Sequence, residues 1–243
     1  MPPCPNGHTE AALQPHAIGV PSYDGPGPAW DTAVAAAPGV RYLVLNPDSG
    51  PGVAPDPFHV ARAARASAAG ICVMGYVHTA WGMRDEVEVR RDVARFREWY
   101  GVTSTFFDEA ATAPGLAGWY GGMAAEVRSG SGGVVALNHG TWPAEAYAAV
   151  ADVLVVFEGP WSVYRMVEVP PWVLDHPARS FWHLVHATPA AALVDALDRA
   201  RSLNAGTVYV TDHGMPNPWD RLPTYWDREV AAVAAHQLLH RAG

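Results

Sequence analysis

Eight short apolar runs punctuate this chain, and each closes on a polar or ionisable residue. They are AIGVPSY ending at Tyr23, YLVLN at Asn46, ICVMGYVH at His78 and STFFDE at Asp108 and Glu109, then GVVALN at Asn138, DVLVVFE at Glu158, SFWHLVH at His186 and TVYVTD at Asp212. Continuous runs of this length, rich in Val, Tyr and Phe, predict strands buried on both faces, as in a parallel sheet covered by helices. Eight of them alternating with helical stretches predict a single (β/α)8 barrel, an α/β fold of about 250 residues. The 243 residues leave no room for a second domain of ordinary size. In such a barrel the strand ends open onto one face, where catalytic groups sit. The polar terminators are therefore the candidate site.

Charge marks the helices between strands. Asp85 to Tyr100 runs from acidic to arginine-rich, which suits the helix dipole, and Val89, Val93, Phe96 and Tyr100 form one apolar face. Pro189 to Leu203 is expected to start at Thr188 as N-cap and to stop before Asn204. Pro57 to Ala69, Leu116 to Arg128, Pro143 to Ala149 and Trp226 to Leu239 complete most of the set. The segment PWSVYRMVEVPPW after the sixth strand is broken by prolines, so a loop or short helix over the mouth is expected there.

Period-two alternation then assigns the inward faces. Asp108 brings Phe106 inward with it, and Glu158 brings Val156 and Leu154. Asn46 brings Val44, His78 brings Tyr76 and Met74, Asn138 brings Ala136 and Val134, and Asp212 brings Val210 and Val208. Each inward set is mostly apolar with one polar group at the top, as a filled barrel requires.

Composition narrows the chemistry. The net charge of −8 and the lack of any basic cluster argue against a nucleic-acid partner. The chain has no lysine, which removes Schiff-base and pyridoxal phosphate chemistry. No apolar run is long enough to span a bilayer. The two cysteines cannot form a structural zinc site; Cys72 reads as a small buried hydrophobe, with a disulfide to Cys4 as the alternative. Residues 1–15 read as a disordered tail ahead of a barrel over 16–243. The N-terminus carries neither a basic nor an apolar leader region, so a cytoplasmic chain, or a secreted one whose leader has been removed, is expected. No cofactor or metal is implied: His183 and His186 face opposite sides of one strand, and His236 and His240 read as an exposed helix face.

Two carboxylate positions, Asp108/Glu109 and Glu158, end strands four and six. Their backbones stand roughly 9–10 Å apart, and inward side chains bring the carboxyls into the range of about 5–9.5 Å that glycoside cleavage uses. That reaction needs one protonated carboxyl for the leaving oxygen and one carboxylate as nucleophile or base. Asp108 is taken as nucleophile, Glu158 as acid/base and Glu109 as a supporting group. Tyr23, Asn46, Tyr76, His78, Asn138, His186, Asp212 and Trp161 are candidate substrate contacts, with helix capping the competing role for Asp212 and turn formation for Asn46. Trp81, Trp142, Trp161 and Trp219 all follow strand ends, where an indole either stacks on a sugar ring or packs a loop.

The same strand ends carry a family resemblance. NPDSGPG from Asn46, GYVHTAWGMRD from Gly75, TFFDEAA from Thr105, LNHGTWP from Leu137 and ADVLVVFEGPW from Ala151 resemble the spherulin-4 family, in the family's order and over roughly residues 17–230. The resemblance implies a glycoside hydrolase similar to secreted enzymes that cut α-1,4-linked galactosamine or N-acetylgalactosamine polymers of microbial exopolysaccharide. It also implies that Asp108, Glu109 and Glu158 carry the chemistry. His139 departs from the pattern, standing where a proline or small residue is expected, and so bears on the sugar subsite. A cytoplasmic barrel enzyme using these carboxylates on a small glycosylated or amino-sugar metabolite is the alternative, and non-catalytic sugar binding a third.

Overall fold

A computed structural model describes residues 17–22 and 27–241, apart from the side chains of 130–131 and 236–241. The expected tail over 1–15, Tyr23, and the side chains of His236 and His240 fall outside that description. Eight strands close a barrel in chain order: β1 (Ala17–Ser22), β2 (Val40–Leu45), β3 (Cys72–His78), β4 (Ser104–Asp108), β5 (Val135–Asn138), β6 (Val153–Pro160), β7 (Phe181–His186) and β8 (Thr207–Val210). Every neighbouring pair is parallel, including β1 with β8.

Helices α1 (Ala29–Ala35), α2 (Pro57–Ala68), α3 (Glu86–Tyr100), α4 (Ala117–Ser131), α5 (Trp161–Tyr164), α6 (Leu193–Ser202) and α7 (Trp226–Arg241) jacket the barrel. Local chemistry sets α3 as the charge pattern foretells. Asp85 accepts hydrogen bonds from the backbone N–H groups of Val87 and Glu88, Gly101 ends the helix at φ 64°, and Val89, Val93, Phe96 and Tyr100 are buried. Two helix expectations are corrected. Pro143 to Ala149 yields only a 3-10 turn, Glu145–Ala149. α6 starts at Leu193 after a 3-10 turn over Ala190–Ala192; Thr188 is buried, and its carbonyl accepts the Tyr225 hydroxyl instead of its side chain capping the helix. The proline-broken segment gives the one-turn α5, as expected.

Aromatic rings fill the barrel. Trp182 stacks on Tyr42 at 5.6 Å between ring centroids and meets Phe106 edge-on at 5.6 Å. Gly19 makes room for it, because a β-carbon there would lie 2.5 Å from the Trp182 ring and 2.9 Å from Thr207. Gly19→Ala is therefore expected to lower stability by about 1–3 kcal/mol through overpacking. Gly118→Ala, which meets nothing within 4 Å, is the control in the same thermal melts; equal melting temperatures would refute this account of the interior.

Two strand registers differ from simple alternation. Asn138 pairs with Val155, and Val155 with Trp182, so Val153 and Val155 face inward rather than Leu154 and Val156. The pairing slips between Val155 and Phe157, which leaves Val156 as a bulge and sets Glu158 beside Leu184 on the inner face. In β8, Thr207 pairs with Trp182 and Tyr209 with Leu184, so Thr207 and Tyr209 point inward while Val208 and Val210 face the helices. Cys72 is buried as expected, but it is disulfide-bonded rather than free, and its partner lies outside the described residues. No helix among the described residues is long and apolar enough to cross a membrane.

Candidate active site

The ends of β3, β4, β5 and β6 bring Tyr76, Asp108, Asn138 and Glu158 together at the C-terminal mouth. The side-chain amide nitrogen of Asn138 donates to Asp108 Oδ1 at 2.7 Å and to Glu158 Oε2 at 2.7 Å. Those two oxygens can be no farther apart than twice 2.7 Å, or 5.4 Å. The amide is itself oriented, since its oxygen accepts the Gly140 N–H at 3.0 Å. The remaining carboxylate oxygens also have donors: the Tyr76 hydroxyl reaches Asp108 Oδ2 at 2.7 Å, and the Trp219 indole N–H reaches Glu158 Oε1 at 3.0 Å. Each carboxylate thus receives one hydrogen bond on each oxygen.

These surroundings act on the acidity of Glu158. Glu158 lies on the floor of the mouth, reachable by solvent yet crowded by protein. That desolvation, with the nearby Asp108 charge, raises its carboxyl pKa against the opposing hydrogen bonds from Asn138 and Trp219. Burial and the Asp108 charge also push the Tyr76 hydroxyl far up, so it remains a proton donor to Asp108. The arrangement sets the doubly hydrogen-bonded Asp108 opposite a carboxyl, Glu158, that holds its proton to higher pH than an ordinary glutamate.

Glu109 follows β4 at φ 52°, a left-handed turn that frees it from strand alternation. Its carbonyl accepts the Trp81 N–H at 2.7 Å and the Thr79 hydroxyl at 2.8 Å, and Thr79 also reaches the Asp108 carbonyl and the Tyr120 hydroxyl. Burial raises the pKa values of Tyr76 and Tyr120, and the Glu109 charge adds a smaller push to both.

The other expected contacts divide. His78 pairs with Asp108 in register and shares its inward side. His186 is buried edge-on to Trp219, and burial lowers its pKa, which favours the neutral imidazole. Both His186 and Glu158 line an open cleft of about 630 Å³ with Gly140, Met215, Asn217 and Trp219. Asn46 is turned to its own loop, its side-chain oxygen accepting the Gly50 N–H at 2.9 Å. Asp212 serves the approach to α7: it accepts the backbone N–H of Thr224 at 3.0 Å and also its hydroxyl, because the β8 register sends it away from the barrel axis. Trp161 packs near Tyr164 at the start of α5.

His139 does not reach the mouth. It is buried against Tyr147, its Nδ1 hydrogen-bonds the Ala111 carbonyl, and burial pulls its pKa down to about 4. Its expected effect on the sugar subsite is overturned by this placement. Trp142, flanked edge-on by Phe181 and His183, is likewise a packing residue.

Sequence reasoning missed Trp219 as a partner of Glu158, since the two lie far apart in the chain and no periodicity links them. It also passed over Thr79, although this residue stands inside the GYVHTAWGMRD motif. A larger cleft of about 790 Å³ lies across the β8–α7 loop from the carboxylate pair, but its Asp220 is held by Arg221 at 2.9 and 3.0 Å. Among the described residues, no three His, Cys, Asp or Glu side chains are grouped to hold a metal ion.

Two carboxylates joined through one amide at the C-terminal mouth of a closed parallel barrel define a paired-acid barrel protein. The chain belongs to spherulation-specific family 4, whose model matches residues 17–233. It is 32% identical to spherulin-4 of Physarum polycephalum, an alignment covering 93% of this chain and 73% of that protein. The fold is shared with the crystal structure of Aspergillus clavatus Sph3 in complex with N-acetylgalactosamine, at a TM-score of 0.81 and 23% identity over 93% of this chain and all of that one. A chitinase of Rhizomucor miehei shares it more distantly, at a TM-score of 0.57 and 12% identity over 91% of this chain and 99% of that one.

Proposed function

We propose that the protein is an endo-acting, retaining glycoside hydrolase of α-1,4-linked galactosamine or N-acetylgalactosamine polymers. The observation that carries this reading is the Asn138 amide bonded to both Asp108 and Glu158, because the limit of 5.4 Å between their oxygens suits the short separation, about 5–5.5 Å, of retaining enzymes. Asp108 attacks the anomeric carbon as the glycosidic C–O bond breaks, and the Glu158 proton passes to the leaving oxygen. Water then attacks the same carbon; Glu158 takes its proton, and the bond to Asp108 breaks. Tyr76 and Asn138 hold the nucleophile, while Trp219 orients the acid. Glu109 adds negative charge that favours both an oxocarbenium-like transition state and a protonated amino sugar.

The Sph3 complex supports the sugar class, since that neighbour holds N-acetylgalactosamine. The open cleft and the exposed Trp81 favour a polymer over a small metabolite. The disulfide at Cys72 supports an oxidising compartment, where such polymers occur. Digestion of acetylated and deacetylated galactosaminogalactan tests the reading. Mass spectrometry should show mid-chain cleavage into short oligosaccharides, and NMR of the first products should show the α-anomer. Intact polymer in both digests would remove the proposal, and initial β-anomer would replace retention by inversion.

A further inference from the structure

We infer that Trp81 is a stacking platform for a sugar unit of the bound polymer, held at the rim by strained backbone. The inference rests on the hydrolase reading above. Of the four tryptophans that follow strand ends, Trp142 and Trp219 are engaged by their own surroundings and Trp161 is packed at the start of α5. Trp81 alone among them is largely open, at 56% exposure.

Its backbone is unusual. Ala80, Trp81 and Gly82 have φ of 47°, 55° and 81°, three successive left-handed residues of which only one is glycine. Left-handed backbone costs an L-residue roughly 1–2 kcal/mol, and strain of this kind persists only where its surroundings enforce it. Here the enforcement comes from the active site. The Trp81 N–H donates to the Glu109 carbonyl at 2.7 Å, Gly82 and Arg84 N–H groups donate to the Thr79 carbonyl, and Thr79 itself holds the Asp108–Glu109 turn. The hydrogen bonds that fix the end of β4 therefore also fix the backbone that carries the indole.

An exposed indole costs solubility and gives no core packing, yet this one is anchored one peptide from the acidic residues. Met83, Val163, Met166 and Met215, in the loops or short helix after β3, β6 and β8, are exposed as well, and Met215 lines the cleft beside Glu158. The C–H face of a pyranose is the chemistry an exposed indole receives, with the ring electrons of Trp81 facing its axial hydrogens.

Steady-state kinetics on the galactosamine polymer and on a series of its oligosaccharides provide the test. Trp81→Ala should raise KM on the polymer by about ten-fold, the scale of one aromatic contact, with kcat changed by less than about two-fold and the loss growing with chain length. Trp81→Phe should recover most of the affinity. Trp81→Gly relieves the backbone strain, so it should melt about 2–4 °C above Trp81→Ala while binding polymer no better. An unchanged KM in Trp81→Ala, or affinity that follows melting temperature across the three variants, would overturn the platform and leave the hydrolase intact. Failure of the unaltered chain to bind or cleave the polymer would overturn both readings.

Discussion

Asp108→Asn and Glu158→Gln should each lower turnover on the polymer by about 10³-fold or more, a loss of roughly 4 kcal/mol in transition-state stabilisation, with the melting temperature nearly unchanged. The two variants should then part on an aryl glycoside. A phenolate leaves without a proton, so Glu158→Gln should keep much of the first, bond-breaking step, whereas Asp108→Asn should lose it along with polymer cleavage. The expectation follows from the raised pKa of Glu158 and the double hydrogen bonding of Asp108. The opposite pattern would exchange the roles, and near-normal activity of both variants on both substrates would refute the site.

The second large effect concerns stability and pH, and it arises away from the mouth. Glu229 on α7 is fully buried; Oε1 accepts the Val210 N–H at 2.8 Å, and Oε2 has no hydrogen-bond partner. Desolvation raises its pKa to about 8. Between the ordinary carboxylate value and about 8, the folded chain therefore holds a proton that the unfolded chain has released. The stability that this proton supplies is fully present below the unfolded pKa and is lost as pH rises through the folded one, at up to about 1.4 kcal/mol per pH unit. His139 acts in the other direction: kept neutral down to about 4, it costs stability as pH falls below its unfolded pKa of about 6.5. Above about 6.5 the His139 contribution is absent, and comparison with Glu229→Gln separates Glu229 from the other raised carboxyl, Glu158. Denaturant unfolding of the chain and of Glu229→Gln across pH 5–8 should show a steeper fall in the former than in the latter. Parallel curves would mean that Glu229 ionises normally.

Much of this was legible in the sequence, for physical reasons. Strands buried on both faces must be apolar throughout, and the first polar residue after each run marks where it leaves the barrel. Eight such runs determine strand number, order and the face that carries the site, and they bring Asp108, Asn138 and Glu158 together. Helix α3 was equally readable, because capping by Asp85 and termination at Gly101 are local interactions. The SGPG loop fixed by Asn46 is local too, although the choice between turn and substrate contact needed coordinates.

What the tertiary structure decided was direction. Counting by twos pointed Glu158 inward along with Val156 and Leu154, but those residues face the other way. Glu158 reaches the mouth because the bulge at Val156 inserts an extra residue and reverses the alternation above it. Asp212 was misplaced by the same counting: β8 is set by Thr207 pairing with Trp182, so Thr207 and Tyr209 take the inner face. Glu109 escapes the rule through its left-handed turn, and Trp219 reaches Glu158 from a loop whose path depends on closure of the whole barrel. Composition and period fix which residues are buried and which end of the barrel is polar, since these depend on hydrophobicity summed over neighbours in the chain. Which polar groups then meet within hydrogen-bonding distance depends on register, bulges and loop paths, and those are settled only when strands far apart in sequence pair.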